Sequence, residues 1–352
     1  MINQNNGAFQ QSFGFGGAPA GPALVEPQFP PLPRRSRQDL KRLSVYTGLS
    51  IITFLASTYG VSGLIVLFSD QVRDFLAAAS IDKSIFSYML ECLLSVFGIG
   101  LPFFIAYSVL KKKYRTDFIP YSLPKSPALM ILMIGFAFGA CLLGSSFSSM
   151  LTIFLEENFG IGSTYTMGDV PTTVDGAILF FVRSAILPAF IEEFALRGVV
   201  MQPLRRYGNS FAIFISSLIF AIMHGNLIQA PFAFIAGMAM GYAVIVTNSI
   251  WTGVIIHLIN NSLSVYMLFM TTRSPDGNIP VYLAGIVPVS VVIGFVCLAI
   301  YLLSKKYRRR LDPPGTPMLN RVFLKDYVTT LPLLISILSL IVQTAYTVEF
   351  IR

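Results

Sequence analysis

Charged residues are scarce in this 352-residue chain, making up 12% of the sequence against 54% hydrophobic residues. Apolar runs of about 20 residues, the length a helix needs to cross a bilayer, recur along it. The alternating segments of about ten residues that are typical of a transmembrane β-barrel are absent from the sequence. The composition therefore predicts an all-α fold, a polytopic transmembrane helical bundle.

Cysteine is also rare, and its three positions are far apart in the chain. Cys92, Cys141 and Cys297 each lie within an apolar run. An odd number of dispersed cysteines argues against a disulfide framework and against a thiolate metal site. We expect these side chains to pack as ordinary apolar groups.

Membrane spans can be drawn through nine apolar runs. They cover approximately residues 43–68, 84–110, 128–155, 176–204, 209–226, 229–247, 250–270, 281–304 and 328–350. With the N-terminus in the cytoplasm, every lysine and arginine falls on an inner segment or inner helix end except Arg73, Lys83, Arg183, Arg273 and Arg352. This asymmetry follows the positive-inside rule. It predicts about eight or nine spans with a cytoplasmic N-terminus, and it explains the net charge of +8 without a nucleic-acid partner.

The chain has only two histidines, and both lie in predicted spans. An imidazole in hydrocarbon is costly, so His224 and His257 are expected to face the bundle interior or a water-filled cavity and to have a function. A second polar cluster, Glu192, Glu193 and Arg197, lies in similarly apolar surroundings. Two acids, two imidazoles and an arginine inside a membrane favour catalysis.

The spacing of these residues predicts that they lie close together. Glu193 and Arg197 share a helix face, and an ion pair at a helix end would explain them but would leave Glu192 without a partner. Glu192 and His224 lie 16 residues before and after Gly208. In an antiparallel hairpin both would therefore lie at matching depth, roughly 20 Å from the turn. His257 is only seven residues from residue 250, the predicted inner end of its span, so it is not level with Glu192 and His224. Either that span starts deeper in the membrane, or a cavity opens toward the cytoplasm.

Three motifs of these residues follow one another on successive predicted helices. They are Glu192-Glu193-x-x-x-Arg197, Phe220-x-x-x-His224 and His257-x-x-x-Asn261. In this order they resemble the motifs of the CAAX-protease and bacteriocin-processing family of intramembrane proteases, also called the Abi family. The resemblance covers roughly residues 175–270 and implies a membrane helical bundle that cleaves peptide bonds.

The resemblance also implies catalytic roles, which agree with the chemistry of the side chains. Glu192 would be the general base that, with His224, orients and deprotonates a water molecule. His257 and Asn261 would donate hydrogen bonds to the oxyanion that develops on the scissile carbonyl. We expect these four side chains to line one cavity that opens toward the cytoplasm.

The same resemblance predicts that Glu193 and Arg197 hold the helix and the neighbouring carboxylate in place, without a cofactor. A zinc ion held by Glu192, His224 and His257 is an alternative, because catalytic zinc accepts two histidines and one carboxylate. The chain lacks the His-Glu-x-x-His signature and has no aspartate in a predicted span. These absences argue against a site-2-type metalloprotease and against a two-aspartate protease.

Composition and motifs divide the chain into four parts: a disordered cytoplasmic tail (1–40), N-terminal transmembrane helices (41–170), the catalytic core (171–275) and C-terminal transmembrane helices (276–352). The expected partners are a peptide or membrane-protein substrate and membrane lipids, with no nucleic acid. The expected location is a bacterial plasma membrane. Two other classes stay open: a transporter, although no internal repeat supports it, and a non-catalytic immunity or scaffold protein.

Two further charges lie within predicted spans and belong to no motif. Glu91 and Arg183 each lie about seven residues into spans two and four, which run in the same direction in the predicted topology. They should therefore be level in the membrane. Because an unpaired charge there costs roughly 2.5–3.5 kcal/mol, we expect an ion pair between these two helices, with a structural role.

Overall fold

The computed structural model describes residues 37–163, 170–274, 284–313, 316–317 and 319–350. Its helices are α1 (Arg37–Leu67), α2 (Ser69–Ala78), α3 (Lys83–Tyr114), α4 (Pro127–Phe159), α5 (Val174–Tyr207), α6 (Asn209–Met223), α7 (Gln229–Thr247), α8 (Ile250–Arg273), α9 (Ile286–Leu303), α10 (Arg321–Val328) and α11 (Leu331–Tyr346). Two short strands, β1 (Ile161–Ser163) and β2 (Val348–Phe350), pair antiparallel. The predicted all-α bundle is confirmed.

Within the described ranges, seven helices are long and apolar enough to cross a membrane. Helices α10 and α11 make an eighth if they are counted as one span, bent by 81°. Thr330 is extended at the bend, and Pro332 lies in the first turn of α11, where its missing N–H is tolerated. The apolar helix α6 has only 15 residues and is shorter than the span predicted there. The protein is a multi-pass membrane protein, as predicted.

Helix α1 begins at Arg37, within the predicted disordered tail 1–40. The Arg37 side chain forms an ion pair with Asp326 of α10, and Lys41 Nζ lies 3.8 Å from the same carboxylate. These contacts hold the start of the helix, so the tail prediction is wrong for residues 37–40. Residues 1–36 lie outside the described part of the chain.

Helix α4 packs between α7 and α9. It packs closely on α9, because a Cβ atom at Gly139 would stand 2.8 Å from the Cα atom of Gly294. Small residues allow this close approach of membrane helices. Cys297 packs one turn away against Gly135, which is consistent with the packing role expected of the cysteines.

The hairpin of α6 and α7 ends inside the bundle. The hydroxyl of Ser148 on α4 donates a hydrogen bond to the carbonyl of Ile228 at the tip of this hairpin. Helix α4 continues from Ser148 to Phe159, which is about 16 Å further at 1.5 Å per residue. The hairpin therefore leaves a space beyond its tip, between α4, α5 and α8.

Helix α8 also begins inside the bundle. The amide of Ile250 donates to the carbonyl of Pro120 (2.9 Å), and Trp251 Nε1 donates to the carbonyl of Tyr121 (2.6 Å). The side chain of Ile250 lies 3.5 Å from the position of a Cβ atom on Gly198, which is about 15 Å along α5 from Gly208. Of the two explanations for the position of His257, the structure supports the deeper start of its helix.

Candidate active site

A cavity of about 800 Å³ lies at the tip of the α6–α7 hairpin and continues along α7 as far as Met240. Glu192 on α5, His224 at the hairpin tip, and His257 and Asn261 on α8 all line it. The structure therefore brings together the four residues that were expected to share a cavity. They come from α5, the hairpin tip and α8, and they meet because the hairpin stops level with them.

The cavity extends toward one end of the bundle. Its lining continues from Glu192 to Met267, near the end of α8, and to Val287, in the first turn of α9. The lysines and arginines around Lys111 and Arg205 lie at the opposite ends of their helices. The sequence predicted an opening at that basic end, whereas this part of the lining lies on the other side of Glu192.

Glu193 and Arg197 form a fully buried ion pair, since both side chains are 0% exposed. Glu193 Oε1 lies 3.0 Å from Arg197 Nη1 and 3.1 Å from His257 Nδ1. The arginine also lies over the ring of Phe220, 4.5 Å from its centroid. A buried carboxylate needs such partners. Beyond the predicted role of holding its own helix, Glu193 thus holds a histidine of a second helix.

Gly253 makes room for this buried pair. A Cβ atom at Gly253 would stand 2.5 Å from Glu193 Oε2, which is far inside van der Waals contact. Only a residue without a side chain fits one turn before His257. This residue could not be recognised from the sequence, because a single glycine in an apolar helix has many explanations.

The bond to Glu193 fixes the ring of His257. Because a carboxylate only accepts hydrogen bonds, Nδ1 of His257 carries the proton of that bond. The opposite nitrogen, Nε2, then faces the cavity side, 3.9 Å from Glu192 Oε2. This separation is too long for a direct hydrogen bond, so a hydrogen-bonding group placed between the two atoms can contact both.

The ring of His224 is fixed in the same way by a backbone carbonyl. His224 Nδ1 lies 2.8 Å from the oxygen of Phe220, one turn earlier. A carbonyl only accepts, so Nδ1 is the donor, and Nε2 of the neutral ring is left as a proton acceptor. The ring of Phe220 contacts both histidines, with centroid distances of 4.7 Å to His224 and 5.8 Å to His257. This packing explains why an aromatic residue stands in the second motif.

Asn261 is held by two hydrogen bonds, one to Ser184 and one from Asn260. Its Nδ2 donates to the carbonyl of Ser184 on α5 (3.1 Å), and Asn260 Nδ2 donates to its Oδ1 (3.2 Å). Ser184 lies in a π-helical stretch of α5, Val182–Ile186, and such stretches recur at functional sites. An amide nitrogen has two donors. One is used on Ser184, so the other can serve a ligand in the cavity.

The predicted ion pair between Glu91 and Arg183 is confirmed. Arg183 Nη1 donates to Glu91 Oε2 across the two helices. The guanidinium also lies over the rings of Tyr88 and Phe180, with its carbon 5.0 and 4.5 Å from their centroids. The structure adds that Arg183 lines the cavity, beyond the structural role predicted from the sequence.

Several hydroxyl groups that were not predicted from the sequence also line the cavity. They belong to Ser145, Ser146, Ser148 and Ser149 of α4, which line the cavity together with the amide of Asn260 on α8. The signal was present in the sequence, because four serines within five residues are unusual in a long apolar helix. A polar wall of this kind can hydrogen-bond the backbone of an extended peptide.

The alternative with zinc requires three ligands around one point. Among the described residues, no group of three or more histidine, cysteine, aspartate or glutamate side chains is arranged to hold a metal ion. Nδ1 of His257 is instead directed at Glu193. The residues therefore do not form a ready zinc site.

Comparison with known proteins identifies the segment that carries the site. Residues 174–263 match the Rce1-like family, described as type II CAAX prenyl endopeptidase Rce1-like. No curated protein and no solved structure is similar enough to match the chain. The matched segment contains all three motifs, so the resemblance to the CAAX-protease family is confirmed for this part of the chain.

Proposed function

Because residues 174–263 match the CAAX prenyl endopeptidases of the Rce1-like family, we propose that this membrane protein cleaves peptide bonds by a glutamate mechanism. The substrate is a peptide or a membrane-associated protein that reaches the cavity within the bundle. The observation that carries the proposal is the meeting of Glu192, His224, His257 and Asn261 on one cavity wall. The proposed location is a bacterial plasma membrane, with membrane lipids and the substrate as partners.

Exposure indicates which of the two adjacent carboxylates acts on water. The Glu192 side chain is 23% exposed and lines the cavity, whereas that of Glu193 is 0% exposed. Glu192 is therefore the general base, and the acceptor nitrogen of His224 helps to orient the attacking water. Positioned proton transfer of this kind contributes typically ~10²–10⁴-fold to a rate.

His257 and Asn261 are the proposed oxyanion donors. With Nδ1–H directed at Glu193, the imidazole donates from Nε2 only when it carries a second proton. Glu193 holds the ring in place through Nδ1, as the acid of a catalytic triad holds its imidazole. Asn261 supplies the second donor, because Ser184 holds its amide in place. Donors held in advance stabilise the charge that develops in the transition state.

The test is cleavage of a synthetic peptide that ends in an S-farnesylated cysteine and three more residues, the C-terminal sequence that defines a CAAX substrate. The purified wild-type protein should cleave it in detergent micelles, and His224→Ala should not. Glu156→Gln, at the exposed end of α4, should behave like wild type.

The same assay separates the alternatives. Treatment with a chelator should leave cleavage unchanged. Loss of cleavage on chelation, with recovery on adding zinc, would favour the zinc enzyme. A wild-type protein that binds the peptide and never cleaves it would favour the non-catalytic immunity or scaffold protein.

A further inference from the structure

Among the described residues that line the cavity, Arg183 is the only lysine or arginine. Its side chain is 14% exposed, so part of it reaches the cavity surface. None of the proposed chemical steps uses this charge. A cation on the wall of a membrane cavity can recognise an anion, because charges interact more strongly where the local dielectric is low.

Arg183 and Glu192 lie on the same helix and line the same cavity. In a regular α-helix, residues nine positions apart lie about 180° apart around the axis. The π-helical stretch Val182–Ile186 changes the winding between them, and both side chains reach the cavity. They are separated by about 13 Å along the helix axis at 1.5 Å per residue.

The guanidinium of Arg183 is held in a fixed orientation. Glu91 accepts a hydrogen bond from Nη1, and the rings of Tyr88 and Phe180 pack against the planar group. A guanidinium can bond carboxylates along more than one edge. Because its partners already hold the side chain, less conformational entropy is lost when a ligand binds.

We propose that Arg183 binds the C-terminal carboxylate of the substrate and thereby selects chains that end three or four residues after the scissile bond. This inference rests on the proposed function. An extended chain spans about 3.3–3.6 Å per residue, so about 13 Å corresponds to about four residues.

The space between the two residues suits the side chains of such a segment. Pro188, Leu263, Val265 and Met267 line it with apolar surface, and the α4 serines face them. The cavity volume of about 800 Å³ lies within the range of roughly 300–1,000 Å³ of small-ligand sites. A CAAX sequence is C-terminal, so its carboxylate lies a short, constant distance from the cysteine.

Binding without turnover tests the inference. The full chain carrying Glu192→Gln is titrated in detergent micelles into a fluorescein-labelled octapeptide that ends in S-farnesylcysteine, valine, isoleucine and alanine. The free acid and the C-terminal amide of this peptide are compared by fluorescence anisotropy. We expect the acid to bind on the order of tenfold more tightly, as for a hydrogen bond between charged groups.

Substitutions of Arg183 test whether this residue causes the preference for the acid peptide. Arg183→Gln, added to Glu192→Gln, should bind the acid and the amide equally. Glu91→Gln with Arg183→Gln removes both charges, so no buried charge is stranded if the single variant fails to fold. It should also lose the preference. Arg73→Gln, at an exposed arginine in α2, is the matched control and should keep the preference.

In acid peptides with two to six residues after the cysteine, binding should be tightest at three or four.

Equal binding of acid and amide in the presence of Arg183, including binding of neither, overturns the inference. A preference for the acid that persists in both Arg183 variants overturns it as well. Cleavage by the wild type without this preference contradicts the carboxylate site alone. A clear preference in a protein that never cleaves the peptide contradicts the proposed protease alone.

Discussion

Helix α5 places two neighbouring glutamates in two different environments. Glu193 is fully buried, with Arg197 at 3.0 Å and His257 at 3.1 Å. Glu192 faces the cavity with 23% of its side chain exposed. A carboxylate that two partners already neutralise holds structure in place, and a carboxylate that faces a cavity can act on water. Two adjacent acids can therefore divide support and chemistry between them.

The largest effect on stability is expected when the buried ion pair between Glu193 and Arg197 is broken. Glu193→Gln leaves the buried charge of Arg197 uncompensated, which should cost about 3–5 kcal/mol of unfolding free energy. The measurement is equilibrium unfolding in detergent micelles. Glu193→Gln combined with Arg197→Met should recover much of the loss, because it strands no charge. Wild-type stability of Glu193→Gln would show that the pair does not support the fold.

On the cavity side, Asn261→Ala should reduce turnover with little effect on stability. Loss of one oxyanion donor typically lowers kcat by ~10²–10³. The peptide KM should change little, because this donor acts mainly in the transition state. Asn158→Ala, at an exposed asparagine of α4, is the control. A rise in KM at unchanged kcat would instead assign Asn261 to substrate binding.

Gly253→Ala should lower both the stability and the turnover of the protein. The added methyl group meets Glu193 Oε2 at 2.5 Å, and overpacking of this kind costs about 1–3 kcal/mol. Turnover should fall as well, because His257 loses its fixed orientation. Gly63→Ala is the matched control, since nothing lies within 4 Å of its added methyl group. If both variants behave alike, the close approach at Gly253 is unimportant.

The smallest effect is expected at Asn260, which supports Asn261 through a 3.2 Å hydrogen bond. Asn260→Ala should lower kcat by less than about tenfold, as expected for loss of one neutral hydrogen bond of about 1 kcal/mol. In the Asn261→Ala background the same change should have no further effect. Additive effects of the two changes would mean that Asn260 acts independently.

The local parts of this site could be predicted from the sequence. Glu193 and Arg197 are four residues apart on one helix, and this spacing predicts their contact. The Glu91–Arg183 pair could also be predicted, because a charge in hydrocarbon needs a partner and depth along a helix can be counted from its end. The predicted meeting of Glu192 and His224 on one cavity followed from the same counting about Gly208.

The contact between Glu193 and His257 could not be predicted, because it depends on where α8 begins. That depth is fixed by the hydrogen bonds of Ile250 and Trp251 to the chain at Pro120 and Tyr121. These partners are more than a hundred residues away in sequence, and no local pattern identifies them. The direction of the cavity could not be predicted either, because it depends on the hairpin ending level with Ser148.

The most direct test of the division between the two glutamates is the turnover number of Glu192→Gln, measured with its unfolding free energy. The account predicts that kcat for the farnesylated peptide falls by ~10²–10⁴. The unfolding free energy should stay within about 0.5 kcal/mol of wild type. Turnover of Glu192→Gln within about tenfold of wild type would contradict the account, because a general base contributes more than that.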